Sequence, residues 1–197
     1  MHDNLKPSKP WHLRVLKRRH HRAAMIAVYG FLSGSLAIAV LAVMAHLAHS
    51  PLVFPSLGPT AFLLFYEPLT PQASPKNTIL GHLIGAGAGW LCLLAFGLAN
   101  EPGAGLGIIT WPRMGAAALS IGITIGLMEY WDVPHAPAGA TTMIVSLGLM
   151  SQLWQLGILM GAVVALVALG WAINHFVGIH YPVWSPVRHS SGMESSG

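Results

Sequence analysis

Charged residues are scarce in this sequence, and cysteine is almost absent. Of the 197 residues, 8% are charged and 54% are hydrophobic, and the mean hydropathy is +0.60. Soluble domains carry about 25% charged residues, and a chain of this length cannot bury so much apolar surface in one core. The single cysteine, Cys92, excludes an intramolecular disulfide framework. The composition therefore predicts an integral membrane protein in contact with the lipid bilayer.

Positive charge is concentrated at one end of the chain. Seven of the ten Lys and Arg residues precede Ala23. We interpret residues 1–22 as a basic cytoplasmic tail, because Lys and Arg beside an apolar span favour the cytoplasmic side. The charge is too localised to indicate a nucleic-acid partner. The apolar run that follows is too long for a secretory signal, which predicts a retained anchor.

Four stretches without Asp, Glu, Lys or Arg follow this tail. They cover residues 23–66, 78–100, 114–128 and 133–187. One spanning helix needs about 20 apolar residues, so the second and third stretches suit one span each, whereas the first and last must fold back or cross again. The predicted long helices cover residues 23–48, 78–99, 111–130 and 152–174.

Proline-rich segments interrupt the first and last stretches, at residues 50–60 and 133–142. They contain five prolines: Pro51, Pro55, Pro59, Pro134 and Pro137. Proline does not fit a helix interior, and the apolar stretches that follow, 61–65 and 143–150, are too short to span a membrane. Non-helical backbone at membrane depth persists only inside protein or around a wet cavity. Two broken half-helices therefore indicate a functional site.

The two interruptions resemble each other. Residues 58–63 read Gly-Pro-Thr-Ala-Phe-Leu, and residues 139–144 read Gly-Ala-Thr-Thr-Met-Ile. Each lies between two long helices, which predicts an internal repeat of helix, half-helix and helix over residues 23–99 and 111–174. Paired broken helices of this kind are typical of transport sites.

This organisation predicts an all-α integral membrane fold with four transmembrane helices and two broken, re-entrant half-helices. The transmembrane domain covers residues 23–175, and a short C-terminal tail covers residues 176–197. If the half-helices instead cross fully, there are six spans and the repeats are inverted. Both arrangements leave both termini in the cytoplasm, and the placement of the remaining basic residues favours four spans.

The half-helices suggest an anion site. A helix that begins inside the membrane points its N-terminal N–H groups and the positive end of its dipole into the site, and such ends attract anions. Hydroxyl side chains add donors, and glycine permits close approach of the backbone. The candidate substrate-binding residues are Ser56, Gly58, Thr60, Gly139, Thr141 and Thr142. The alternative is that these hydroxyls only cap the helices.

Two histidines lie next to these segments. His82 is near the start of a span, and His135 precedes the second half-helix. Ionisable residues at membrane depth are functional candidates and histidine changes charge near neutral pH, so we interpret both as gating or proton-coupling residues. The alternative for each is a neutral histidine bonded to a carbonyl. A metal site that adds His46 and His49 is not favoured, because no two of the four show helical ligand spacing beside a carboxylate.

Catalytic signatures are absent from the sequence. It has no phosphate-binding glycine loop with lysine, no nucleophile elbow, no pair of intramembrane carboxylates and no metalloprotease helix motif. We therefore expect no enzymatic activity and no cofactor.

Several motifs together resemble the HPP family of membrane proteins. Residues 56–65, Ser-Leu-Gly-Pro-Thr-Ala-Phe-Leu-Leu-Phe, are similar to its first signature. Residues 71–77 are similar to its Pro/Asn loop, and residues 81–82 to its Gly-His pair. Residues 135–141, His-Ala-Pro-Ala-Gly-Ala-Thr, resemble the motif that names the family, with Ala136 in place of the first proline.

The resemblance covers residues 25–175. The chain departs from the family pattern at Thr60, where serine is usual, and at Ser74 and Lys76, where glutamine and arginine are expected. The resemblance implies a membrane protein with four spans. Some cyanobacterial and chloroplast members of the family are associated with nitrite transport.

Residues and resemblance together predict a channel or secondary transporter for a small monovalent anion, with nitrite as the first choice. Lys76 and Asn77 would line the outer approach to the site. We expect the chain in a bacterial inner (plasma) membrane and, from its glycine-rich helix faces, as a homo-oligomer. Two alternatives stay open: a non-transporting scaffold subunit, and a histidine-dependent transporter of metal cations or protons.

Overall fold

The computed structural model describes residues 11–49, 53–104 and 109–186, with side chains from residue 22 onward. Over these residues the chain is helical, with connecting turns and one 3-10 turn at Pro71–Ala73. The helices are α1 (Trp11–Leu47), α2 (Leu57–Tyr66), α3 (Pro75–Ala95), α4 (Trp111–Tyr130), α5 (Ala138–Ser146) and α6 (Leu153–Phe176). The all-helical prediction is thus confirmed for the described part of the chain.

Three helices are long and apolar enough to cross a membrane: residues 22–47 of α1, all of α3, and all of α6. α4 has 20 residues but does not meet the same criterion. It carries Arg113 near its start and Glu129 near its end. The membrane-embedded character of the chain follows from these helices, whereas the arrangement of four spans stays a prediction.

Two short helices, α2 and α5, lie in the segments predicted as half-helices, a term we keep for them below, and both begin earlier than predicted. They contain 10 and 9 residues, and they replace the predicted stretches 61–65 and 143–150. Pro59 is accommodated because it lies in the first turn of α2, where its missing N–H breaks no helical bond. At 1.5 Å per residue, the helices are about 15 and 14 Å long, roughly half of the hydrocarbon core. Neither can cross a bilayer alone.

Local signals set the ends of α3, which was predicted at residues 78–99. Pro75 lies in its first turn, a position that suits proline. Ser74 Oγ accepts a hydrogen bond from Asn77 N at 3.4 Å and caps the helix. Gly97 follows the last turn with φ of +68°, a left-handed conformation that favours glycine. The helix therefore begins and ends a few residues earlier than predicted.

The two predicted tails are described only in part. α1 begins at Trp11, so the second half of the basic segment 1–22 is helical and continuous with the first span. Residues 1–10, 50–52, 105–108 and 187–197 lie outside the described residues.

α3 lies at the centre of the helix packing, in contact with α4, α5 and α6. A Cβ atom at Gly85 would lie 2.6 Å from Ala138 O, and one at Gly89 would lie 2.9 Å from Thr142 O. Only glycine lets the backbone of α5 approach α3 this closely. α1 and α2 contact each other and α6. The first turns of α2 and α5 are thereby brought to α3.

Candidate functional site

The two half-helices place equivalent threonines on one histidine. Thr60 is the fourth residue of α2, and Thr141 is the fourth residue of α5. Thr60 Oγ1 lies 2.9 Å from His82 Nε2, and Thr141 Oγ1 lies 2.7 Å from His82 Nδ1. All three side chains are 0% exposed. A single imidazole on α3 therefore joins the first turns of both half-helices.

His135 extends this cluster toward the loop before α3. Its Nε2 lies 3.3 Å from His82 Nε2 and 3.5 Å from Thr60 Oγ1. Its Nδ1 lies 2.7 Å from the carbonyl oxygen of Gln72. The ring centroids of His82 and His135 are 4.9 Å apart. The sequence singled out these two histidines separately, and the fold brings them into direct contact.

The hydrogen-bond partners assign the tautomers of both neutral rings. The Gln72 carbonyl only accepts, so His135 Nδ1 carries its proton and His135 Nε2 presents a lone pair. We assign the His82 proton to Nε2, which faces the lone pairs of His135 Nε2 at 3.3 Å and Thr60 Oγ1 at 2.9 Å, and this leaves His82 Nδ1 to accept from Thr141 Oγ1. Thr60 Oγ1 donates to Ser56 O at 3.0 Å. The result is a directed chain of donors from the Thr141 hydroxyl to the Gln72 carbonyl.

Thr142 lies beside this chain but faces α4. Its Oγ1 is 2.9 Å from Thr124 Oγ1. Each hydroxyl is also close to the carbonyl four residues before it, Ala138 O at 3.1 Å and Ser120 O at 2.9 Å. A hydroxyl has one proton, so one threonine donates to the other while the second donates to its own helix. The polar cluster thus continues from α5 to α4.

The expectation that free helix N–H groups point into the site is wrong for the two glycines. Gly58 N donates to Pro55 O at 3.3 Å, and Gly139 N donates to Ala136 O at 3.0 Å. The residues before each half-helix wind into a turn, so their carbonyls accept from the first-turn amides. The threonine and imidazole protons are donated within the cluster, so what remains at the first turns is the positive ends of two helix dipoles and the hydroxyl of Ser56.

Ser56 contributes a hydroxyl that the helix does not use. Its side chain is 0% exposed, and its Oγ has no hydrogen-bond partner among the described residues. Its carbonyl already accepts from Thr60 Oγ1. Ser56 therefore brings an available donor to the turn before α2.

Lys76 and Asn77 do not form an open approach together. Asn77 is 1% exposed, and its Nδ2 donates to Pro71 O at 3.0 Å, which ties the loop to the start of α3. Lys76 is half-buried at the edge of a cavity of about 300 Å³ that Trp131 and Val133 also line. Asn77 thus lies buried in the first turn of α3 and holds the loop that carries Gln72 to that helix, while its Oδ1 has no hydrogen-bond partner among the described residues.

The HPP transmembrane-region family model matches residues 18–182 of this chain. The chain belongs to the HPP family. It is 30% identical over 127 residues to a transmembrane protein of Dictyostelium discoideum, a match that covers 61% of this chain and 40% of the relative. A second transmembrane protein of the same organism is 27% identical over 131 residues, 64% of this chain and 39% of the relative. The chain thus spans about two fifths of the length of these curated relatives. No solved structure matches it.

Sequence reasoning missed three residues of this candidate site. Gln72 binds His135 through its backbone carbonyl, and its side-chain Oε1 accepts from Ala136 N at 3.2 Å. Gln72 lies in the Pro/Asn loop of the HPP resemblance, which was the available signal. Ser120 and Thr124 lie four residues apart in a charge-free stretch of α4. This spacing places them on one helix face, and it could have indicated a polar face toward α5.

His46 and His49 are exposed near the end of α1, with ring centroids 6.5 Å apart. Among the described residues, no group of three or more His, Cys, Asp or Glu side chains could hold a metal ion. The four-histidine cluster considered from the sequence is therefore not formed in the described part of the chain.

Proposed function

We propose that this chain is a channel or secondary transporter for a small monovalent anion of the nitrite type, with a transport role rather than a catalytic one. The observation that carries the proposal is the convergence of Thr60 and Thr141, from the first turns of two half-helices, on His82. Paired broken helices whose N-termini meet inside the membrane are the arrangement that transporters use for anionic groups. The nitrite association of some HPP members favours this anion.

The chemistry of the cluster suits a singly charged acceptor. Ser56 Oγ supplies a donor without a partner among the described residues, the threonine hydroxyls and His82 Nε2 become donors to the anion when they release their bonds within the cluster, and the dipoles of α2 and α5 add positive potential. No Asp, Glu, Lys or Arg side chain takes part in the hydrogen bonds of this cluster among the described residues. An anion held by neutral donors is bound weakly enough to be released, as conduction requires.

The buried cluster corresponds to an occluded state in this proposal. Opening requires separation of His135 from the loop carbonyl of Gln72, or movement of α2 away from His82. Tyr181 steadies that loop, since its hydroxyl donates to Ala73 O. The proposal includes four spans with re-entrant half-helices, both termini in the cytoplasm of a bacterial inner membrane, and a homo-oligomer.

Anion uptake into proteoliposomes tests the proposal. Nitrite, nitrate, formate and chloride are compared for the wild type and for the double variant Thr60→Val/Thr141→Val, which keeps shape but removes both hydroxyls. We expect selective, saturable nitrite flux that falls at least tenfold in the double variant. Thr70→Val, which removes a hydroxyl bonded to Glu67 O in an outlying loop, is the matched control. Unchanged flux in the double variant would show that the site is elsewhere.

A proton-coupled mode is favoured by the directed histidine chain. The His135–His82 pair joins a loop carbonyl to the first turn of α5, so a proton could accompany the anion. A pH gradient imposed on the same liposomes separates the two modes. Acceleration of nitrite uptake by an inward proton gradient, lost in His135→Gln, indicates coupling, whereas flux independent of the gradient indicates a passive channel.

The scaffold alternative predicts that the half-helices are inaccessible to water. Single cysteines at Leu57 and Ala140, in a chain with Cys92 replaced by serine, report this through a membrane-impermeant thiol reagent. Labelling of both positions during nitrite transport favours a pathway through the half-helices. Full protection, together with absence of flux for every anion and either gradient, would favour the scaffold alternative.

A further inference from the structure

Arg113 is a buried cation with an unused donor. It lies in the first turn of α4 and is 3% exposed. Its Nη2 donates to Pro102 O at 2.9 Å, whereas its Nη1 has no hydrogen-bond partner among the described residues. A buried charge is costly unless it is paired and hydrogen-bonded. The guanidinium therefore lacks a negatively charged partner within the described part of the chain.

A cavity of about 620 Å³ adjoins this guanidinium. Arg113, Thr110, Glu101 and the backbone of Gly103 are among its lining residues. A water molecule occupies about 30 Å³ of liquid volume, so the cavity has room for a small oxyanion with several waters. Thr110 adds a hydroxyl-bearing side chain to the lining of this cavity, and Glu101 adds a negative charge.

The surrounding backbone holds the guanidinium in place. A Cβ atom at Gly148, which has φ of +76°, would collide with Arg113 Nη1, and a Cβ at Gly103 would lie 2.6 Å from Gly148 O. Ala104 N donates to Leu147 O at 2.9 Å. The negative end of the α5 dipole lies here and offsets part of the positive charge. The dipole supplies no acceptor for Nη1, which has no hydrogen-bond partner among the described residues. The hydrogen-bonding capacity of the guanidinium is therefore not filled.

A discontinuous stripe of buried polar side chains, interrupted by Ala116 and Ala117, runs along α4 from Arg113 toward the histidine cluster. Arg113, Ser120 and Thr124 lie on the buried face of α4, and Thr124 Oγ1 meets Thr142 Oγ1 of α5. Thr124 is about 16 Å along the helix from Arg113 at 1.5 Å per residue. Ser146 of α5 adds a buried Oγ that has no partner among the described residues. The guanidinium and the histidines thus occupy the two ends of one polar stripe.

We propose that Arg113 and the cavity beside it form a second binding site for a small monovalent oxyanion, at the end of the polar stripe remote from His82. The role of this second site rests on the proposed anion-transport function, but binding of an anion at Arg113 can be measured independently of transport. A monovalent ligand is favoured over a divalent one because Glu101 lines the same cavity and repels negative charge. Nη2 already donates to Pro102 O, so Nη1 is the guanidinium donor left for an oxygen of nitrite, nitrate or formate.

Binding of ¹⁵N-nitrite to the full chain in micelles, measured by the broadening of its NMR line, tests this site. We expect Arg113→Gln to weaken nitrite binding about tenfold or more, since it removes a charge-assisted donor. Glu101→Gln should strengthen binding several-fold. Arg22→Gln removes one exposed positive charge on α1 and should change the affinity less than twofold.

The measurement is repeated in Thr60→Val/Thr141→Val, which leaves only the Arg113 site. Arginine-dependent binding that persists there supports the second site, even if no flux is found and the transport proposal fails. Unchanged binding in a folded Arg113→Gln variant overturns the second site and leaves the transport proposal standing. If Arg113→Gln does not fold, Glu101→Gln decides. Stronger binding supports the site, whereas lower stability with unchanged binding means that Glu101 is the partner of Arg113 and overturns it.

A phosphodiester headgroup carries the same singly charged oxygens as the free anion. Micelles with and without an anionic phospholipid separate the two sources. Nitrite binding that is equal in both supports a site for the free anion. Nitrite binding that is absent in both, with lipid bound only by the chain that retains Arg113, would assign the cavity to lipid and overturn the proposal.

Discussion

α2 and α5 present the same Gly-x-Thr register to His82, but their surroundings differ. α5 lies against α3 and α4, where Gly85 and Gly89 bring backbone into direct contact with backbone. α2 lies against α1 and α6, and a cavity of about 590 Å³ is lined by residues of α1 and α2. A Cβ atom at Gly30 or Gly58 would meet nothing within 4 Å.

The difference separates a fixed half-helix from a looser one. α5 is enclosed by close packing, whereas α2 leaves Phe62 and Tyr66 about 60% exposed. Segments with fewer buried contacts open at lower free energy. We therefore expect α2 to move relative to His82 when the site opens, while α5 keeps Thr141 in place. The predictions below test this contrast, in order of decreasing size of the effect.

Gly85→Ala should produce the largest effect. The added Cβ would lie 2.6 Å from Ala138 O, a backbone atom that cannot rotate away, so α5 must shift. We expect a loss of about 1–3 kcal/mol in the free energy of unfolding, measured by thermal denaturation in detergent. Gly87→Ala is the matched control on the same helix, since a Cβ there meets nothing within 4 Å. Equal stability of the two variants would contradict the close packing of α5.

Asn174→Ala should loosen α2 without disturbing α5. Asn174 Nδ2 donates to Leu64 O at 3.1 Å, and its Oδ1 accepts from Tyr29 Oη at 2.6 Å, so the side chain ties α2 and α1 to α6. Loss of these bonds should cost about 1–3 kcal/mol. Hydrogen exchange should accelerate in α2 amides, with α5 amides unchanged. Equal acceleration in both half-helices would mean that they form one cooperative unit.

Thr141→Val should destabilise the chain more than Thr60→Val, despite their equivalent positions. Thr141 is the donor to His82 Nδ1, and its removal leaves a buried lone pair without a partner, at a cost of about 1 kcal/mol or more. Without Thr60, His82 Nε2 still has His135 Nε2 at 3.3 Å. Denaturation curves of both variants measure the difference. ¹⁵N spectra of the histidines should show Nδ1 of His135 and Nε2 of His82 protonated in the wild type, and the reverse assignment would refute the directed chain.

Gly30→Ala should give the smallest effect, and it should be stabilising. Gly30 is inside α1, and an added Cβ would meet no atom within 4 Å. Glycine costs a helix interior about 0.5–1 kcal/mol relative to alanine. We expect a gain of about 0.5 kcal/mol in the free energy of unfolding, with unchanged nitrite flux. A loss of stability would show that the face of α1 toward α2 is closely packed in the membrane.

The sequence predicted several parts of this molecule well because their causes are local. Low charge and long apolar runs predicted the membrane protein, and prolines located the two short helices α2 and α5 within a few residues. Helix starts at Leu57 and Ala138 were missed because the turns before them continue into the helix, which depends on backbone bonds that composition does not report.

The histidine cluster shows more directly which contacts could not be predicted from the sequence. Thr60, His82, His135 and Thr141 could be singled out from the sequence, because they are polar or ionisable residues beside interruptions of apolar stretches. The sequence could not pair them, since His82 and Thr141 are 59 residues apart in the chain. The internal repeat, the substrate and the number of spans stay predictions.

Local features of the sequence were enough to establish a membrane protein of the HPP family, with two interrupted segments and polar residues at each. Hydropathy, proline geometry and motif spacing act within a few residues and can be recognised without a fold. The packing of the helices was needed to show that both half-helices meet on His82 and that a loop carbonyl sets the tautomer of His135. It also showed that Arg113 is buried with a donor that no described residue accepts. These features depend on the close approach of α3 and α5 across their glycines, which joins segments that are distant in sequence.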